Sequence, residues 1–182
     1  KYQDNGSGYS TEMNLNIWNG VFNGAGFDWD YVDVPVDLAF RSDGTTKNFW
    51  TFGSAWSNDG SIGYIWMISI TDDIDVESGY SPIVFYTTDQ GDSWDEIEIA
   101  LEDNEVMAEY IWATNQLTGP MWPQCTELAG VVDMNDDLQL FTRATGTYST
   151  HTDSVGYSYT NNLDYIFNIE VNTEGVQNVF FV

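Results

Sequence analysis

Carboxylates dominate the chemistry this chain can offer: Asp and Glu make up 29 of its 182 residues, against four Lys and Arg and one His. The best-spaced set is Asp133, Asn135 and Asp137 in D-M-N-D-D. Its 1, 3, 5 spacing matches the opening of a calcium loop and supplies the hard oxygen ligands that Ca²⁺ takes. Leu138 stands where such a loop needs Gly, and Ala144 where it needs its closing Glu, so a strand-connecting turn is the simpler reading. Asp72, Asp73, Asp75 and Glu77 form a looser second set. His151 with Asp153 and Ser149 or Ser154 has the composition of a hydrolytic triad. Residues so close together in one Ser/Thr-rich loop rarely converge as nucleophile, base and orienter, and no G-x-S-x-G elbow accompanies them. His151 therefore reads as an exposed loop residue. Zinc would need a Cys/His cluster, which is missing, and no Gly-rich loop is present to cradle phosphate. Glycosidase chemistry needs two carboxylates about 5 or about 6.5–9.5 Å apart. Spacing along a chain with 29 acids defines no such pair, so no catalytic residue is nominated.

The most specific stretch is Thr87 to Trp94, T-T-D-Q-G-D-S-W, between the strand-like runs Pro82–Tyr86 and Trp94–Ile99. It reads as a self-capped hairpin loop. Asp89 can accept backbone N–H groups of its own turn, Gly91 can take φ > 0, and Trp94 can fold back as an apolar plug. The stretch resembles the Asp-box, [Ser/Thr]-x-Asp-x-Gly-x-[Ser/Thr]-Trp, and matches it at Thr87, Asp89, Gly91, Ser93 and Trp94. In that family the box joins the third and fourth strands of β-propeller blades and speaks to fold more than to chemistry. The wider resemblance, over Val34 to Tyr159, is to Asp-box (BNR-repeat) propellers of secreted or surface proteins of Bacteroidetes-type bacteria. It rests on Asp37–Phe40 with Gly44, Gly63–Trp66 and Val84–Trp94. It implies an all-β fold of four-stranded antiparallel blades, a secreted or cell-surface location, and export by the type IX route with a sorting signal outside this chain. The resemblance also reaches sialidases, which grip the substrate carboxylate with three arginines. Here only Arg41 and Arg143 exist, so a full site of that kind cannot lie within the chain.

The chain order supplies the elements that hold these residues. Residues 1–33 are expected to be a connector and first strands, with a turn at Asn19-Gly20 and a loop or bulged strand over Phe22–Tyr31. Aromatics there can stack on sugars or fill space between blades. Residues 34–100 read as the Asp-box blade: Val34–Phe40, a turn at Arg41–Gly44, Asn48–Phe52, a turn at Asn58-Asp59-Gly60, and the apolar run Ile62–Ile70, typical of a strand buried on both faces. Residues 101–126 join the blades. Within them Val106, Met107, Tyr110 and Ile111 have helical spacing and Asn104 can cap, so a short helix competes with a strand. Residues 127–182 read as the following blade or blades, with strands at Glu127–Asp133, Leu138–Arg143, Val155–Tyr159, Asn162–Ile169 and Val176–Val182. Asp37-Leu-Ala and Glu127-Leu-Ala lie 90 apart, and Ile62-Gly-Tyr and Val155-Gly-Tyr 93 apart, a distance that fits about two blades of about 40–50 residues. A closed ring of four blades needs on the order of 180 residues. With long loops and two or three recognisable blades, the chain is expected to be an arc of a larger propeller. It opens on Lys1 and stops mid-strand at Val182, which reads as a segment of a longer protein.

The formal net charge of −25 excludes nucleic acid, whose phosphates must be neutralised by Lys and Arg, and an anionic membrane surface for the same reason. It suits a solvated acidic surface or a site that collects cations. Cys125 is the sole cysteine, so no disulfide forms within these residues. No apolar run reaches membrane-spanning length. The expected function is a non-enzymatic scaffold or binding module for a protein or glycan, without a cofactor unless calcium binds. The alternative is part of a sialidase-like or other glycoside hydrolase whose catalytic groups lie partly outside the chain.

Overall fold

The computed structural model describes residues 13–36, 38–39, 50–70, 79–101, 104–113, 122–147 and 164–182. Within them the fold is all-β apart from one short helix, and it is built in three layers. Strands β1 (Met13–Phe22) and β2 (Phe27–Val36) form an antiparallel hairpin. Strands β3 (Trp50–Trp56), β4 (Gly63–Ser69), β5 (Ser81–Thr87) and β6 (Asp95–Ile97) make a four-stranded antiparallel sheet in sequence order. After α1 (Glu105–Ala113), strands β7 (Trp122–Val132), β8 (Leu138–Thr147), β9 (Tyr165–Asn172) and β10 (Gly175–Phe181) repeat that meander.

The first sheet is the middle layer, which is why β4 and β5 read as almost continuous apolar runs. Tyr64, Trp66, Ile68 and Val84 face the second sheet, where they meet Leu138, Leu140, Phe167, Ile169 and Val171. Met67, Ile83 and Phe85 face the opposite way and pack on Val34 and Val36 of the hairpin. Side chains alternate across a strand, so both faces must be apolar if both are covered. The helix settles the ambiguity between helix and strand. The Asn104 side chain caps it by accepting the Met107 N–H at 3.0 Å, and Met107 and Ile111 are buried in the core between the sheets. Tyr110 stacks on Phe181 with ring centroids 3.9 Å apart. A helix of nine residues is marginal alone, and this packing is what holds it.

Tryptophans over glycines recur across the strand pairs. Trp29 covers Gly20, Trp66 covers Gly53 and Trp56 covers Gly63, each pair in direct register. Trp66 also meets Gly130 of β7, where an added Cβ would lie 2.9 Å from the ring. Glycine floors on two sheets thus admit one indole between them. A backbone join reinforces the contact: Cys125 N–H donates to the Tyr80 carbonyl at 2.7 Å.

Several expectations at the N-terminal end are corrected. Asn19 and Gly20 lie inside β1 and form no turn; Gly20 is in the strand because Trp29 fills the space its missing side chain leaves. Most of Phe22–Tyr31 is strand, and the reversal is at Asn23–Gly26, where the Asn23 side chain accepts the Ala25 and Gly26 N–H groups and Gly24 has φ 91°. Val34–Val36 finish β2 and open no new sheet. The spaced match of Leu38 with Leu128 is no strand correspondence, since Leu38 precedes β3 whereas Leu128 is inside β7. Val155–Tyr159 lies outside the described residues. No helix among those described is long and apolar enough to cross a membrane.

In Gly53→Ala the new Cβ would stand 2.3 Å from the Trp66 ring. Overpacking of this kind costs about 1–3 kcal/mol. The urea midpoint is expected to fall with an unchanged slope; an unaltered midpoint would show that Trp66 is free to move.

Candidate functional site

The loop from Thr87 to Trp94 connects β5 to β6, the third and fourth strands of the first sheet. Its polar groups are satisfied internally. Thr87 Oγ1 donates to Asp89 Oδ1 at 2.6 Å and accepts the Gly91 N–H at 2.9 Å. The Asp89 carboxylate accepts the Ser93 N–H at 2.9 Å and the Ser93 hydroxyl. Gln90 and Gly91 both have positive φ, 64° and 95°. Trp94 turns back under the loop, donates from Nε1 to the Gly91 carbonyl at 3.2 Å, and lies edge-on to Trp56. Donors from Ser93 and Thr87 hold the Asp89 carboxyl down at about 2. These residues are committed to one another, and the loop's chemistry is structural.

The same device recurs between β3 and β4. Asp59 Oδ1 accepts the Ser61 N–H, the Ser61 hydroxyl and the Ser57 hydroxyl, Gly60 has φ 75°, and the Asp59 carboxyl is likewise held near 2. Between β7 and β8, Asp133 Oδ1 accepts the N–H groups of Asn135 and Asp137 at 2.7 and 3.2 Å. Asp136 takes φ 66° there, at a position that favours glycine.

Around this third turn the structure gathers carboxylates that spacing alone did not join. Asp133, Asp137 and Glu170 bring oxygens within 4.8 Å of one another, a geometry that could hold a hard cation. Asn135, the middle member of the 1, 3, 5 set, donates its backbone N–H to Asp133 Oδ1 in the turn. Glu170 arrives through register, because it lies opposite Gln139 in the β8–β9 ladder, and nothing in the sequence near Asp133 points to it. The Gln139 amide nitrogen donates to Asp133 Oδ2 at 3.0 Å and to Glu170 Oε1 at 3.2 Å. Asn168 and Asn178 extend the network by donating to Gln139 and to Glu170. Desolvation, then the charges of Asp133, Glu170 and Asp136, raise the Asp137 carboxyl above its usual range. Behind the turn the buried Tyr64 hydroxyl donates to the Asp136 carbonyl at 3.0 Å, tying the two sheets together. Burial, then the charges of Asp137, Asp136 and Asp133, push its phenol to about 12.

A cleft of about 400 Å³ lies between the β6 end of the first sheet and the β9–β10 turn of the second, lined by Tyr86, Glu96, Glu98, Ala100, Glu174 and Val176. Its three acids come from two sheets, so no sequence spacing reveals them. Arg143 is taken up by Glu127 and Asp164 at 3.1 and 2.8 Å. Cys125 is buried and its thiol is pushed to about 12, which keeps it protonated and inert as a nucleophile. His151 with Ser149, Asp153 and Ser154, the acids Asp72, Asp73, Asp75 and Glu77, and Arg41 all lie outside the described residues.

No protein-family model, curated protein or solved structure matches this chain.

Asp89 is depressed from 3.8 to about 2 in the fold, so its contribution is present above the unfolded value and is lost as pH falls through about 2. Asp89→Asn keeps an acceptor for Ser93 but removes the charge. Its melting temperature is expected to depend less on pH between about 4 and about 2 than that of the parent; parallel curves would exclude this role. Asp137 has the opposite sign, its charged form being disfavoured in the fold. Asp137→Asn is expected to raise the melting temperature by a few degrees at neutral pH, with the gain fading as pH falls through the carboxylate range. A lower melting temperature at neutral pH would mean the charge is needed.

Proposed function

We propose that this chain is an arc of an Asp-box β-propeller on a secreted or cell-surface protein, and that it acts as a scaffold or binding module for a protein or glycan. Export by the type IX route belongs to the same proposal. The observation that carries it is the order of strands. Two successive four-stranded antiparallel meanders stack face to face, and the Thr87–Trp94 loop closes the third-to-fourth-strand turn of the first. Four-stranded antiparallel sheets stacked in sequence are the arrangement from which radial folds are built. The charge of −25 adds support, since it suits solvated display and attraction of cationic partners.

The alternative, part of a glycoside hydrolase, draws its support from the cleft beside β6, where Glu96, Glu98 and Glu174 line one space of ligand size. The two readings separate in one experiment. The purified chain is screened on a glycan array and in a pull-down, and in parallel against a panel of chromogenic glycosides. Retention of a ligand without turnover is the expected result. Turnover abolished by Glu96→Gln, Glu98→Gln or Glu174→Gln would replace this reading with the hydrolase.

A further inference from the structure

The outward face of the β1–β2 hairpin carries a row of uncovered aromatic rings. Register puts Trp18 opposite Tyr31, Gly20 opposite Trp29 and Phe22 opposite Phe27 on the face away from the first sheet, while Leu15, Ile17, Val32, Val34 and Val36 occupy the packed face. The rings contact each other in series: Trp18–Tyr31 at 5.1 Å, Phe22–Phe27 at 5.4 Å and Phe27–Trp29 at 5.7 Å between centroids. Trp18 is 65% exposed and Trp29 63%. Contiguous apolar surface of this kind marks an interaction site.

The charges along the same hairpin identify what fits it. Asp33 shares the aromatic face, where it accepts from Asn16 and, with desolvation as the larger cause, raises the Tyr31 phenol. Asp28 and Asp30 alternate to the other face of the same strand, where they accept from the Asn23 amide and the Tyr31 backbone N–H. These hydrogen-bond donors are all neutral. Arg143 is the one Lys or Arg among the described residues, and it is bound to Glu127 and Asp164. A second copy of this chain would bring a further −25 and be repelled. Exposed indole and phenol faces beside the Asp33 carboxylate, on a chain of net charge −25, favour guanidinium and ammonium groups, through cation–π contact and charge together.

We propose that this face docks a Lys/Arg-rich polypeptide. The proposal rests on the binding-module reading and names its partner. The test uses the 182-residue chain and a fluorescently labelled arginine-rich peptide, with binding followed by anisotropy at near-physiological salt. A Trp18→Ala/Trp29→Ala double variant, confirmed folded by circular dichroism, is expected to weaken binding about tenfold or more. Asp33→Asn, which keeps the side-chain shape, is expected to weaken it about threefold. Equal binding by all three proteins would overturn the proposal, because the attraction would then be that of a polyanion in general. A neutral hexasaccharide bound through Trp18 and Trp29 with no peptide binding would also overturn it, while leaving the binding-module reading intact. Concentration-dependent self-association lost in the double variant would overturn it in favour of a second copy.

Discussion

Everything else in the structure depends on how closely the two four-stranded sheets approach, and the Trp66 indole governs that approach. It lies between Gly53 on its own sheet and Gly130 on the next. Any larger residue at either place would push the ring against its neighbours and open the core in which Leu138, Leu140, Phe167 and Ile169 are fully buried. Interiors at this packing density do not deform smoothly, so the contact sets the spacing of both layers. That spacing lets the Tyr64 hydroxyl reach the Asp136 carbonyl and lets α1 insert Met107 and Ile111 beside the same core.

Around the sheets, aspartates do the work of closing turns. Asp59, Asp89 and Asp133 each accept backbone N–H groups two to four residues ahead, and a residue at positive φ accompanies each. A chain with so many acids must place some where the charged form is favoured. Asp59 and Asp89 are such places, and Asp137, crowded by Asp133, Glu170 and Asp136, is the opposite. The Gln139 amide relieves part of that crowding by donating to two of the carboxylates at once. Turn chemistry and the charge of the whole molecule are therefore linked through individual hydrogen bonds.

The aromatic residues divide by partner. Trp94 and Trp66 are buried because each has a fitted surface, a loop folded over it or glycine floors on two sheets. Trp18 and Trp29 are the same residue type on a strand with equal alternation, yet they are exposed because the hairpin has a covered face and an uncovered one. The binding role argued for the hairpin lives on that asymmetry.

Local chemistry was legible in the sequence. Thr87, Asp89, Gly91 and Trp94 lie within eight residues, and an Asp and a Gly at that spacing can close a turn by local hydrogen bonds, so the self-capped loop could be read directly. The nearly continuous apolar run of β4 suited a strand covered on both sides, because alternating side chains then meet an apolar layer on each face. Tertiary structure decided the rest. Val106, Met107, Tyr110 and Ile111 suited a helix or a strand until a core lay beside them, and Asn19-Gly20 looked like a turn until Trp29 was seen above Gly20. Glu170 joined Asp133 through the register of β8 with β9, and Glu174 joined Glu96 and Glu98 across two sheets. A turn is settled by bonds a few residues long. Which strand faces which is settled only when distant apolar faces compete for burial, and no window of sequence contains both competitors.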